Sequence, residues 1–241
     1  MGIQGKNVII TGAAVRVGKA MAHAVADCGA NVIIHYGASE EEAKTTQEEI
    51  LAKGVEVHLL QADLNKLEDV PKLIEASMKF GPLFALVNNA AIFENLNLFD
   101  TNLPSWHRHM NINLTAPFLL SQAFVSQISP RDQGRIVNIL DWRALRPGAD
   151  HFSYTISKVG LAGLTRSMAL ALAPNITVNG IAFGAILPPS DGRDVNYLLE
   201  DVPAGRWADL NEVGETLLFL LDGPTYITGE IIHLDGGRQL V

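Results

Sequence analysis

Tyr154 and Lys158 stand four apart in a stretch, Phe152 to Leu172, whose pattern predicts a helix, and on a helix positions i and i+4 share a face. The phenol and the ammonium then point into one space. A free phenol has a pKa near 10 and trades protons poorly at neutral pH, but an adjacent cation favours the phenolate and lowers that value. The pair reads as a general acid/base. Chance copies of Tyr-x-x-x-Lys are common, so the reading depends on what surrounds it. Asp141 supplies a third titratable group: it closes the apolar run Ile136 to Leu140, and a loop with Pro147 and Gly148 leads from it towards Tyr154. The alternative for Asp141 is a loop carboxylate paired with Arg143 or Arg146. Those arginines are themselves either rim groups for an anionic tail or partners of the acidic residues Asp191, Asp194, Glu200 and Asp201.

The elements that must hold these groups alternate regularly. Strand Asn7 to Ile10 ends in a turn, Thr11 to Gly18, that opens a helix running to about Cys28, and strand Asn31 to His35 follows: a βαβ unit with a right-handed crossover. Helix Ser39 to Lys53, strand Val55 to Leu60, helix Leu67 to Met78, strand Leu83 to Val87 and a long helix from Pro104 to about Ser129 continue the pattern. Strand Arg135 to Leu140, helix Phe152 to Leu172, strand Ile176 to Ile181, helix Asn211 to Leu221 and strand Glu230 to Leu234 complete it. The strands are mostly continuous apolar runs, as expected when helices cover both faces. The expected fold is an α/β, single-domain, Rossmann-type, doubly wound parallel sheet of about seven strands, spanning residues 1–241. Such sheets bind ligands beyond the carboxyl ends of their strands, where Thr11, Asn88, Asp141 and Gly184 all sit. The long irregular segment Phe183 to Trp207, with Pro188, Pro189, Gly192, Pro203 and Gly205, reads as a lid.

Composition narrows the partners. A 241-residue chain with 48% hydrophobic residues, 18% charged residues and a net charge of −8 is globular and argues against nucleic acid or anionic membranes as partners. Its single cysteine, Cys28, excludes an internal disulfide, suits a reducing cytosol and is expected to pack on its helix. No signal peptide and no apolar run of about 18 residues is visible, so a cytoplasmic protein is expected. His107 and His109, two apart on a helix, face different sides, so no metal site is expected there.

Gly12, at the end of the first strand, allows close backbone approach, and the helix opened at Gly18 offers free N–H groups to a pyrophosphate. That favours a dinucleotide. The second strand ends His35-Tyr36-Gly37-Ala38-Ser39 without the carboxylate that an NAD-selective site places on the ribose 2′-hydroxyl. Arg16 in the turn and the hydroxyl and N-cap position of Ser39 would instead welcome a 2′-phosphate, so NADP(H) is expected in preference to NAD. Asp63, after the third strand, is placed either to bond the adenine amino group or to cap the next helix. The cofactor part would span about 1–130 and the catalytic part about 131–241.

With these residues in place, the chain resembles the short-chain dehydrogenase/reductase family from end to end. The resemblance rests on Thr-Gly-x-x-x-x-x-Gly over Thr11 to Gly18, Asn88-Asn89-Ala90, Asn113, Tyr154-x-x-x-Lys158, Asn179-Gly180 with Gly184, and Asp235-Gly236-Gly237, in family order and spacing. It implies hydride transfer with a nicotinamide cofactor on a small-molecule substrate, and a homo-oligomer, a tetramer rather than a dimer. It makes Tyr154 and Lys158 the proton-transfer pair, with Lys158 also on the nicotinamide ribose and Asn113 positioning a water in a relay to Lys158. Cofactor contacts are implied at Gly12, Arg16, Val17, Gly18, His35, Tyr36, Ser39, Asp63, Leu64, Asn89, Ala90, Ala91, Tyr154, Lys158, Gly184 and Ile186.

Two departures point to one branch. The family's usual serine, thirteen residues before the tyrosine, is Asp141 here, and the middle glycine of the cofactor turn is Arg16. Both resemble the pteridine reductases, whose pattern also carries His-Tyr-x-x-Ser after strand two. Those enzymes sandwich a flat pterin between nicotinamide and a phenylalanine just after Asn-Asn-Ala, a place held here by Phe93. An ionised carboxylate accepts hydrogen bonds and donates none. Asp141 would repel a developing ketone oxyanion unless burial kept it protonated, and suits a heterocycle with N–H and NH₂ donors and a reducible C=N bond. The expected activity is NADPH-dependent reduction of a pterin or dihydrofolate-like substrate, with Asp141, Tyr154 and Phe93 touching it. A carbonyl or 3-oxoacyl reductase is the alternative, and an inert dinucleotide-binding sensor the alternative of another class.

Overall fold

The structure is a computed structural model that describes residues 2–129, 131–188 and 195–241. Seven strands, β1 (Asn7–Thr11), β2 (Asn31–Tyr36), β3 (Val57–Gln61), β4 (Leu83–Asn88), β5 (Gly134–Asp141), β6 (Ile176–Phe183) and β7 (Ile231–Leu234), form one sheet in the order β3-β2-β1-β4-β5-β6-β7. Every pairing is parallel. Helices α1 (Arg16–Asp27), α2 (Glu40–Leu51) and α7 (Leu210–Asp222) pack into one core, and α3 (Val70–Ser77), α5 (Ala116–Gln127) and α6 (Phe152–Leu172) into another.

The strand sequences explain the two layers. Val8 and Ile10 join the first core while Ile9 joins the second; Val32 and Ile34 oppose Ile33 in the same way, and Val137 opposes Ile136. Successive strand side chains point to opposite faces, so a run of β-branched residues fills both interiors at once. At roughly 1.5–3 kcal/mol for each large apolar side chain removed from water, this central sheet dominates the favourable side of folding. The order reverses between β1 and β4, which opens a crevice at the carboxyl ends of these two strands.

The expected long helix from Pro104 to Ser129 is not continuous. It divides into α4 (Leu103–Met110), a π-helical turn (Asn111–Thr115) and α5, which ends at Gln127. Pro117 has no N–H to give to the carbonyl of Asn113 four residues earlier, so the regular ladder is interrupted where the wider turn occurs. The turn carries Asn113 into the interior, fully buried. Cys28 also differs from expectation: it sits just beyond α1 and is exposed, so it does not pack on the helix.

Candidate active site

The β1–β4 crevice is built by a few short bonds. The Thr11 hydroxyl donates to the Val87 carbonyl and accepts from the backbone N–H groups of Asn89 (2.9 Å) and Ala90 (3.0 Å). The Asn89 side chain donates in return to the carbonyls of Thr11 (2.8 Å) and Gly12 (3.2 Å). These bonds lock the ends of both strands together. Gly12 has φ +65°, and a Cβ on it would lie 3.1 Å from the Ala90 Cα; a Cβ on Gly18 would lie 2.1 Å from the Gly12 carbonyl oxygen. Only glycine fits at either position. Val15 precedes α1 without a capping side chain, which leaves the helix N-terminus to an incoming anion.

His35 lies behind this turn. Its Nδ1 accepts from the Gly12 N–H at 3.2 Å and its Nε2–H donates to the Ala62 carbonyl at 3.1 Å, so the neutral Nε2–H tautomer satisfies both. The side chain is 2% exposed and shapes the turn from within instead of reaching into the crevice. Burial lowers its pKa from 6.5 to about 4. The unfolded chain therefore binds more protons between these values, and stability that is fully present above about pH 6.5 is lost as the pH falls towards 4, by roughly 3 kcal/mol. In denaturant titrations across that window, a His35→Gln variant is expected to lack this slope; an unchanged slope refutes the assignment.

The other expected cofactor residues are distributed around the mouth of the crevice. Arg16 holds a left-handed conformation (φ 54°) and its guanidinium donates to the Pro188 carbonyl, a neutral acceptor on the far side of the crevice. Val17 and Tyr36 pack into the first core, Leu64 and Ala90 into the second. Ser39 occupies the N-cap position of α2 without a capping hydrogen bond. The Asp63 carboxylate accepts from the Asn65 N–H in a local turn and does not cap the next helix, α3, whose N-cap position is held by Asp69. Gly184 bonds to the Leu234 carbonyl at 3.0 Å, packed so closely that a Cβ would meet the Asp235 backbone at 2.6 Å, and Ile186 is buried beside it. Ala91, next to Ala90, is exposed. Part of the expected lid, with Asp191 and Asp194, lies outside the described residues. Asp201 pairs with Arg238 at 2.8 Å, while Arg146 donates to the Gln239 carbonyl; neither Arg143 nor Arg146 pairs with the described part of that segment.

The three titratable groups converge. The Tyr154 hydroxyl donates to Asp141 Oδ2 at 3.1 Å, and Asp141 Oδ1 accepts from the Arg143 N–H at 2.9 Å. Lys158 Nζ donates to the Ile139 carbonyl at 2.7 Å and lies 5.7 Å from the centre of the Tyr154 ring. Burial first, then the Asp141 charge and hydrogen bond, push the Tyr154 phenol well above its usual value, whereas the sequence led us to expect the lysine to lower it. Burial raises Asp141 against the opposing pull of Arg143, and burial lowers Lys158 to about 8. The resting arrangement is therefore a protonated phenol aimed at a carboxyl group whose own pKa is raised by burial.

Asn113 and Phe93 meet at the same site. Asn113 accepts from the Ile92 N–H (2.9 Å) and donates to the Ile92 carbonyl and to Ser157 Oγ, both at 3.0 Å, so it clamps the residue before Phe93. The Phe93 ring is 54% exposed, meets Tyr154 edge-to-face at 4.6 Å and stacks on His151 at 3.9 Å. Sequence reasoning missed two members of this group, His151 and Ser157, whereas the contact of Arg143 with Asp141, at 3.6 Å between Nη1 and Oδ1, is the pairing named as the alternative for Asp141. For the two missed residues, proximity to Tyr154 in the chain was the available signal.

A family model described as enoyl-(acyl carrier protein) reductase matches residues 12–239. The 3-oxoacyl-acyl-carrier-protein reductase FabG of Aquifex aeolicus is 35% identical, covering 98% of each chain. The chain belongs to the short-chain dehydrogenase/reductase family. Membership makes it an NAD(P)-dependent oxidoreductase. FolM, alternative dihydrofolate reductase 1 from Brucella canis, solved with NADP, has a TM-score of 0.92 and 34% identity, covering 100% of this chain and 97% of that one. A short-chain dehydrogenase from Burkholderia cenocepacia, also with NADP, gives 0.92 and 31%, covering 99% of each. No helix among the described residues is long and apolar enough to cross a membrane.

Proposed function

We propose that this short-chain dehydrogenase/reductase uses NADPH to reduce a C=N bond of a pterin, dihydropteridine or dihydrofolate-like substrate. The observation that carries the reading is Tyr154's hydrogen-bond partner, a largely buried carboxyl group (14% exposed) where the family usually has serine. The Gly12–Gly18 cradle, the uncapped start of α1 and Arg16 fit a phosphorylated dinucleotide, with Asn89 shaping the cradle and Lys158 on the nicotinamide side. Bound there, NADPH supplies the hydride. Tyr154 delivers the accompanying proton to the ring nitrogen; its raised pKa keeps the proton on the phenol until a more basic acceptor is present. Asp141 then returns a proton to Tyr154 across their 3.1 Å bond, and the Lys158 cation stabilises the transient phenolate. Phe93, 54% exposed beside Tyr154, is the aromatic side chain against which the flat ring would stack. Exposed Phe118 on α5 and Leu170 on α6 support a homo-oligomer, a tetramer in this reading, working in the cytosol.

A second reading, a 3-oxoacyl carbonyl reductase, is favoured by the curated relatives, and a protonated Asp141 would serve it as a donor to the carbonyl oxygen. The two separate on substrate. NADPH oxidation by the purified protein should proceed with dihydrobiopterin or dihydrofolate. Turnover of a 3-oxoacyl thioester without any pterin reduction would overturn the first reading in favour of the second.

A further inference from the structure

His151 lies three residues before Tyr154 and, with φ 48° and ψ 47°, holds the left-handed conformation immediately ahead of α6. A non-glycine residue seldom adopts it, and such outliers concentrate where the surrounding structure demands a particular geometry. Here the demand comes from the loop after β4. His151 Nδ1 bonds the Glu94 carbonyl at 2.9 Å, while its ring lies against the Phe93 ring at 3.9 Å and 14°, nearly face to face. The next N–H, of Phe152, donates to the Leu96 carbonyl at 2.7 Å. On the other side of Phe93, Asn113 holds both backbone groups of Ile92. Phe93 is thus tethered through each chain neighbour and braced by the His151 stack, while the residue stays 54% exposed and the Arg143 guanidinium carbon lies 5.9 Å from its ring centre.

We propose that His151 is a positioning residue: it sets the plane of Phe93 beside Tyr154, and so sets affinity for flat heterocyclic substrates without entering the proton transfer. The inference rests on the pterin reading above. Its physical content is pre-organisation. A phenyl ring free to turn about its own torsions loses that freedom when a substrate stacks on it, and a ring already braced does not. Burial lowers the pKa of the imidazole, and its Nδ1–H is committed to the Glu94 carbonyl.

Two substitutions divide the histidine's contributions. His151→Asn tolerates the left-handed conformation and can still donate to Glu94, but offers no ring. His151→Phe keeps a flat face and loses the donor. With an aromatic contact of ordinary strength, His151→Asn is expected to raise KM for dihydrobiopterin about three- to tenfold at nearly constant kcat, and His151→Phe to restore most of it. KM for an acyclic 3-oxoacyl thioester or a small ketone should stay put in both. Quenching of tryptophan fluorescence by a pterin, with Trp142 beside Asp141, gives the same comparison as a dissociation constant. Unchanged pterin KM and affinity in His151→Asn would overturn the inference alone, as would an equal rise for the acyclic substrate. Wild-type protein that neither binds nor reduces any pterin would remove the pterin reading and this inference together.

Discussion

Tyr154→Phe is expected to lower kcat by about 10²- to 10⁴-fold, the usual loss when a positioned proton donor is removed, while NADPH affinity stays within a few-fold. The hydroxyl contributes no packing that phenylalanine lacks, and its recorded hydrogen bond goes to Asp141 and not to the Gly12–Gly18 cradle. Single-turnover NADPH oxidation and cofactor titration read the two effects separately. In the wild-type enzyme the rate should also fall above about pH 8, where burial places the Lys158 pKa and the cation that supports the phenolate is lost. A Tyr154→Phe variant with more than a tenth of wild-type activity would show that the proton reaches the substrate by another route.

Asp141→Asn is expected to cut pterin turnover about 10²-fold and at the same time to stabilise the protein. The amide keeps the shape but can neither shuttle a proton nor titrate, so the loss falls on proton delivery. The gain in stability follows from the sign of the shift. Burial raises the Asp141 pKa, so the native state binds more protons than the unfolded one, and stability present at low pH is lost as the pH rises through the raised value. Above that value the wild type carries a charge in a largely buried place that asparagine does not, so the gain should grow as the pH rises. A higher Tm with lower activity is the signature of a site in which stability has been given up for chemistry. Asp141→Ser distinguishes the substrate classes: the hydroxyl donates to a ketone, so carbonyl reduction should rise as pterin reduction falls. A rise in pterin turnover in Asp141→Ser would sink the proposed role.

The tight Gly12–Gly18 turn was legible in residue types alone. Gly12 and Gly18 mark it because a backbone turn that must pass within van der Waals distance of another strand tolerates no Cβ, and that requirement appears directly as residue type. Asp141 was legible through spacing, since strand β5 and the start of α6 fix how far its carboxylate can be from Tyr154. Pro117 is the residue that could have signalled the break in the long helix, and the π turn it accompanies is what carries Asn113 to Ile92. The family resemblance implies His35 as a cofactor contact, yet its ring nitrogens are spent on Gly12 and Ala62, partners that lie in neighbouring strands' loops.

The sequence by itself determined the order of elements, the doubly wound parallel sheet and the residue types at the strand ends, because β-branched runs, glycine turns and helical periodicity act over a few residues. The tertiary structure decided the electrostatics and the bracing. The Tyr154 phenol is raised where spacing to Lys158 suggested it would be lowered, because burial and the Asp141 carboxyl, brought from thirteen residues away, outweigh a lysine turned to the Ile139 carbonyl. Likewise the stack of His151 on Phe93 joins residues 58 positions apart, from loops after different strands. Burial and contact between distant segments are properties of the packed chain, and no local pattern encodes them.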